Sequence, residues 1–196
     1  MSGSEDSDYL DEPLGRFLEM LAACDPAPSA GAAAAIAVAM AAALAGMVAR
    51  ISRSKLVEAD ALVERADAIR DRVAPLGGAD ARAYARVLAA RREGGDRQRE
   101  ALSGAADVPL AIAEMGAEIV ALAVRLAREG EVELRGEALT SLWLAEAGVR
   151  SAARLVEINL EGNDDARLER ARAASTRAAE AAHDPVVGAR RGSSSA

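Results

Sequence analysis

Asp80 is the side chain in this sequence best placed to move protons. It follows Gly77-Gly78-Ala79 and opens the run Asp80-Ala81-Arg82-Ala83-Tyr84, so the spacing predicts a carboxylate at a helix N-terminus. There the macrodipole favours the ionised form, which suits a base, whereas burial would favour the neutral form, which suits an acid. Capping its own helix is the ordinary work of an aspartate in that position. A second candidate lies upstream, where Asp25-Pro26-Ala27-Pro28-Ser29-Ala30-Gly31 feeds an alanine-dominated run to Ala49. The amides that open this helix come directly after a Pro-x-Pro turn, where an anion can dock. Other reactive types are too sparse to assemble a site. Cys24 is the single cysteine and cannot form an internal disulfide, and His183 is the single histidine and is given no role, so zinc ligation lacks its donors.

The elements that must hold these residues follow from composition. Of 196 residues, 51% are hydrophobic and 28% charged, which fits one compact domain. Aromatic residues make up only 2%, so the core must be built from closely packed Ala, Leu, Val and Ile on helices rather than from alternating strands. The expected fold is all-α: a single-domain bundle of about seven helices with a buried alanine-rich helix at its centre. From Pro26 to Ala49 there is no charge, long enough to cross a bilayer, but alanine contributes little transfer free energy and no aromatic belt flanks the run. No membrane association is therefore expected. The acidic segment Ser4 to Glu12 does not resemble a signal peptide, which points to a cytoplasmic location. A net charge of -7 argues against general nucleic-acid binding.

Along the chain, residues 1–12 read as a flexible acidic N-terminus, 13–184 as the helical domain and 185–196 as a disordered tail. Asp11-Glu12-Pro13 predicts a first helix carrying Phe17, Leu18 and Leu21. The alanine helix ends near Ile51 to Ser54, and a third helix carrying Leu56, Ala59, Leu62 and Val63 closes before Pro75. Gly77-Gly78 reads as a break, with a fourth helix from about Asp80 to Arg92. Beyond Gly94-Gly95 a further segment runs to Arg128, kinked or divided by Pro109. A long helix from Gly136 to Leu160 carries Leu139, Leu142, Trp143, Val149 and Leu155, and the spacing of Trp143 reads as core. The final helix spans about Asp164 to His183.

Several of these segments, in order, resemble the cyclodeaminase/cyclohydrolase family, meaning the C-terminal domain of formiminotransferase-cyclodeaminase and the stand-alone methenyltetrahydrofolate cyclohydrolases. They are Phe17-Leu-x-x-Leu21; Pro26-Ala27-Pro28 with the small-residue helix ending Met47-Val48; Asp80-Ala81-Arg82-Ala83-Tyr84; Ala106-Asp107-Val108-Pro109-Leu110; and Leu144-Ala145-Glu146-Ala147 with Ile158-Asn159-Leu160. The resemblance covers about residues 14 to 180. It departs at two places: Ser29-Ala30-Gly31-Ala32 stands where the family has Gly-Gly-Gly-Ser, and Gly136-Glu137 where it has Ser-Asp.

The resemblance implies an all-α homodimer acting on a tetrahydrofolate derivative, with no tightly bound cofactor and no metal. A separate formiminotransferase is the implied further partner. Ring closure with loss of ammonia, or addition of water to the methenyl bridge, needs at least one positioned carboxylate for proton transfer, and Asp80 matches that position. The implied substrate-binding positions are Ser29, Ala30, Gly31, Lys55, Glu137 and Asn159. Lys55, the one lysine of the chain, would pair with a folate carboxylate or polarise the reacting bridge, and Asn159 would hydrogen-bond the pterin. Each has a plainer alternative, a surface lysine and a helix-tying asparagine. The altered glycine run keeps open a catalytically degenerate member that serves as a folate-binding or helical interaction module. Composition by itself would favour a scaffold bundle with no small-molecule site.

Overall fold

The computed structural model describes residues 9–184. The expected tail 185–196, and most of the expected flexible N-terminus, lie outside those residues. Every regular element described is helical: α1 Leu14–Ala22, α2 Ala30–Ile51, α3 Ala59–Val73, α4 Leu76–Arg91, α5 Gly95–Ala105, α6 Asp107–Glu129, α7 Arg135–Asn159 and α8 Ala166–Ala182. Single 3-10 turns at Ser52–Ser54 and Val132–Leu134 lead out of α2 and into α7.

Two boundaries differ from expectation, both for reasons of packing. The segment after Gly95 is two helices, α5 and α6, so the helix count rises above the expected seven. The division falls at Ala106, which puts Pro109 in the first turn of α6, where a missing amide leaves no hydrogen bond unmade. Gly77-Gly78 is not a break either: α4 begins at Leu76 and runs through both glycines. Gly77 packs against α2, where a Cβ would meet Ala32 at an ordinary contact distance of 3.5 Å.

Helix α2 is the axis around which the others pack. Ala32, Ala35, Val38, Ala41, Ala42, Ala45, Val48 and Ala49 are fully buried against α3, α4, α6 and α7. By length and composition α2 is apolar enough to cross a membrane, yet most of it is covered by protein. Its small side chains bring neighbours close. The Val38 side chain sits where a Cβ on Gly148 of α7 would lie at 2.6 Å and one on Gly116 of α6 at 3.1 Å, so three helices converge on one valine. Ser141 of α7, also fully buried, donates to the Ala41 carbonyl at 2.7 Å, satisfying its hydroxyl inside the core. Ser141 opposite Ala41 and Gly148 opposite Ala34 make α2 and α7 antiparallel neighbours.

That register places Trp143 level with Met40 on the outer face of the pair. Trp143 is 54% exposed and Met40 48%, so the tryptophan expected in the core is on the surface. The helical spacing of α7 is satisfied on both sides: Leu142 and Val149 point inward, and Trp143 and Ala147 lie outside.

Candidate functional site

The Asp80 carboxyl rests on the first turn of α2. Ser29 is the N-cap of that helix, with extended backbone, but its hydroxyl makes no capping bond. Instead it donates to Asp80 Oδ2 at 3.2 Å, so Ser29 does not cap the opening amides of α2. Beside it, Gly31 is buried, and a Cβ added there would overlap the Asp80 carboxyl group itself. A glycine at this position is thus a steric requirement of the carboxyl's placement. Ala30, the first residue of α2, is exposed.

Asp80 does not cap α4, as expected from sequence; it stands in the second turn, projecting onto α2 from a helix that started at Leu76. The dipole argument for a depressed carboxylate therefore loses its premise. Burial pushes the Asp80 carboxyl above the usual carboxylate range, and the hydrogen bond from Ser29 draws it back in part. A carboxyl so held sits nearer neutrality, where it can both take and return a proton.

Sequence reasoning missed Tyr9. It is 8% exposed and packs on Phe17, with ring centroids 5.8 Å apart and planes tilted by 55°. Tyr9, Phe17 and Ala32 form one small apolar cluster, with Met20, Leu21, Ile36 and Ala81 around it. The signal was there, an aromatic beside Leu10 just ahead of the first helix, but the surrounding acidic residues made the segment read as a solvated arm.

The remaining expected residues do not join this cluster. Lys55 follows the C-terminal end of α2, the opposite end from Ser29, and pairs with Glu131 at 2.6 Å. Glu131 is held below the usual carboxylate range, chiefly by that lysine. Its amide in turn donates to the buried Ser52 hydroxyl at 2.9 Å, so Lys55 belongs to a clasp between the end of α2 and the loop before α7. Glu137 is in the first turn of α7, which the antiparallel register puts at the Lys55 end. Asn159 donates through Nδ2 to the Ala105 carbonyl at 3.2 Å, tying α7 to the end of α5. Among the described residues no group of three His, Cys, Asp or Glu side chains is gathered as metal ligands would be.

The all-helical fold and its likeness to known proteins place the chain in a folate one-carbon class. The formiminotransferase-cyclodeaminase family model matches residues 13–178, and the chain belongs to that family. It is 33% identical over 170 residues to the methenyltetrahydrofolate cyclohydrolase of Methylorubrum extorquens, covering 79% of this chain and 82% of that protein. The crystal structure of formiminotetrahydrofolate cyclodeaminase from Thermotoga maritima superposes with a TM-score of 0.83 at 26% identity, over 91% of this chain and 94% of that one.

Proposed function

We propose that this protein is a tetrahydrofolate one-carbon enzyme that hydrolyses the methenyl bridge, with Asp80 as the proton-transfer residue. The observation that carries the reading is the half-buried Asp80 carboxyl seated on Gly31 and hydrogen-bonded by Ser29. Water adds to the methenyl carbon and gives one proton to Asp80. Collapse of the tetrahedral centre then forms the formyl carbonyl and breaks the bond to one bridge nitrogen, which receives a proton, and the net proton passes to solvent. Ser29 fixes which carboxyl oxygen faces the reacting carbon. Because Ser29 supplies a hydroxyl at the start of α2, the loss of the family's serine at Ala32 does not leave the carboxyl without a donor.

Hydrolysis is preferred because the cyclohydrolase relative is the more similar in sequence, 33% against 26%. The structural likeness to the cyclodeaminase supports a second reading, in which a folate nitrogen attacks a formimino carbon and the same carboxyl protonates the departing ammonia. Purified protein assayed with 5,10-methenyltetrahydrofolate and with 5-formiminotetrahydrofolate separates the two. Loss of the methenyl chromophore, abolished by Asp80→Ala, is the expected result; ammonia release alone would support the second reading. Binding of reduced folate without either turnover would establish the degenerate, folate-binding alternative, and absence of thermal stabilisation by reduced folates would leave only the scaffold.

A homodimer fits this reading. Ala33, Met40 and Ala43 on α2 and Trp143 and Ala147 on α7 are exposed on one uncharged ridge, and it is the surface we assign to the second subunit. A separate formiminotransferase is a partner only under the second reading.

A further inference from the structure

We propose that Tyr9 is a positioning residue for Asp80: its ring closes the inner flank of the carboxyl against water and thereby sets the pH range over which Asp80 exchanges its proton. The inference rests on the proton-transfer role proposed for Asp80. Its geometric basis is contiguity. The edge of the Tyr9 ring lies 3.6 Å from where a Cβ on Gly77 would be. Gly77 is one helical turn ahead of Asp80 on α4, hence on the same face. On the other side the ring is clustered with Ala32, the residue after Gly31, on which the carboxyl sits. Phe17, itself buried, backs the ring. Tyr9, Gly77, Asp80, Gly31 and Ala32 are therefore one continuous patch.

Electrostatics agrees. Burial is the dominant influence on Asp80, and the Tyr9 phenol is pushed up by its own burial and by the Asp80 charge, with Arg82 drawing it back. Many charged groups on the elements around α4 pair with one another, while Glu64 and Arg72 on α3 and Glu100 on α5 are exposed to solvent. Helix α2 brings none before Arg50, which pairs with Asp67. On α3, Asp67 and Asp71 also face Arg70; on α5, Asp96 pairs with Arg99; on α6, Asp107 and Glu114 are engaged by Arg167 and Arg170. Arg82, two residues along α4, is the other charged group that acts on Tyr9.

The test uses the full chain carrying Tyr9→Ala, Tyr9→Phe or Tyr9→Gln. The Asp80 side-chain carbon is titrated by carbon-13 NMR, assigned by its loss in Asp80→Asn, alongside the pH profile of methenyl hydrolysis. Admitting water in Tyr9→Ala should move the Asp80 titration and the acid limb of the profile down by roughly half a pH unit or more, whereas Tyr9→Phe, which keeps the ring, should leave both in place. If Tyr9→Ala does not fold, Tyr9→Gln, of similar bulk but hydrated, carries the same expectation. An unmoved titration in the folded Ala or Gln variant overturns the proposal. So does a Phe variant that shifts as far as Ala, because the hydroxyl rather than the ring would then be responsible. The NMR titration needs no turnover, so a native protein inactive on both folates would end the functional reading while leaving the role of Tyr9 decided separately.

Discussion

At the level of single residues, the site sets chemistry against stability in a way that can be measured. Because the fold holds the Asp80 carboxyl above its ordinary value, the folded state binds that proton more tightly than the unfolded chain does. The stability gained from the protonated form is fully present below the unfolded value and is lost as pH rises through the folded one. Asp80→Asn, neutral throughout, should therefore melt higher than the native protein at pH about 7 and converge with it below about pH 3.5, while turnover falls by about 10²- to 10⁴-fold. Thermal unfolding at the two pH values checks this, and a variant that melts lower at neutral pH would refute it. Gly31→Ala makes a different prediction from the same place. Its methyl group must push the Asp80 carboxyl off α2, so turnover should collapse while the helical signal and its cooperative melting remain. A Gly31→Ala enzyme with native kcat would show that the carboxyl's seat is irrelevant. Neither residue's role depends on the family's glycine run as a whole, since Ser29 and Gly31 between them provide the hydroxyl and the space.

Between elements, the tightest constraint is the meeting of α2, α6 and α7 at Val38. Gly148→Ala puts a methyl 2.6 Å from Val38 Cγ2 and 3.2 Å from the Ala34 carbonyl, so it should destabilise the protein by about 1–3 kcal/mol. Val38→Ala in the same chain should recover part of that loss, because one of the two clashing groups is then gone; denaturant unfolding of the single and double variants measures the coupling. The start of α8 gives a pH-dependent counterpart. Asp165 caps that helix by accepting from the Arg167 amide, and the Arg167 guanidinium holds its carboxyl down to about 2. Arg167 also reaches the Ser103 carbonyl at 2.8 Å and Asp107, which joins α8 to the α5–α6 junction. Since the folded value is depressed, this contribution is present above the unfolded value and disappears as pH falls from about 4 to about 2. Urea unfolding across that range should show a steeper decline for the native protein than for Asp165→Asn; parallel declines would remove Asp165 from the account. The helices themselves were legible from apolar spacing and from Pro13, Pro75 and Gly130. Their ends near Gly77 and Pro109 were not, because a glycine that weakens an isolated helix is tolerated where the helix packs against a neighbour, as Gly77 does against Ala32, and a proline is tolerated in a first turn.

For the molecule as a whole, the apolar ridge of Met40 and Trp143 predicts assembly. Trp143→Glu or Met40→Glu should convert a dimer to a folded monomer, read by light scattering after size exclusion, and an unchanged mass for both would place the subunit contact elsewhere. Sequence made the helical class legible and singled out Asp80, Ser29 and Gly31, because small residues, a Pro-x-Pro turn and one carboxylate are local signals, but not that the three meet. Tyr9, the surface position of Trp143 and the distance of Lys55 from Ser29 were not, because each depends on how helices are placed side by side rather than on the residues within one. Gly31 carries a consequence for descent. Glycine and alanine codons differ by a single base, and alanine is the commonest neighbour along α2, so one transversion suffices to evict the carboxyl while leaving the bundle, its ridge and its abundance intact. On the role proposed for Asp80, a lineage built on this scaffold is one nucleotide from a well-folded relative without that chemistry, available for selection to reuse.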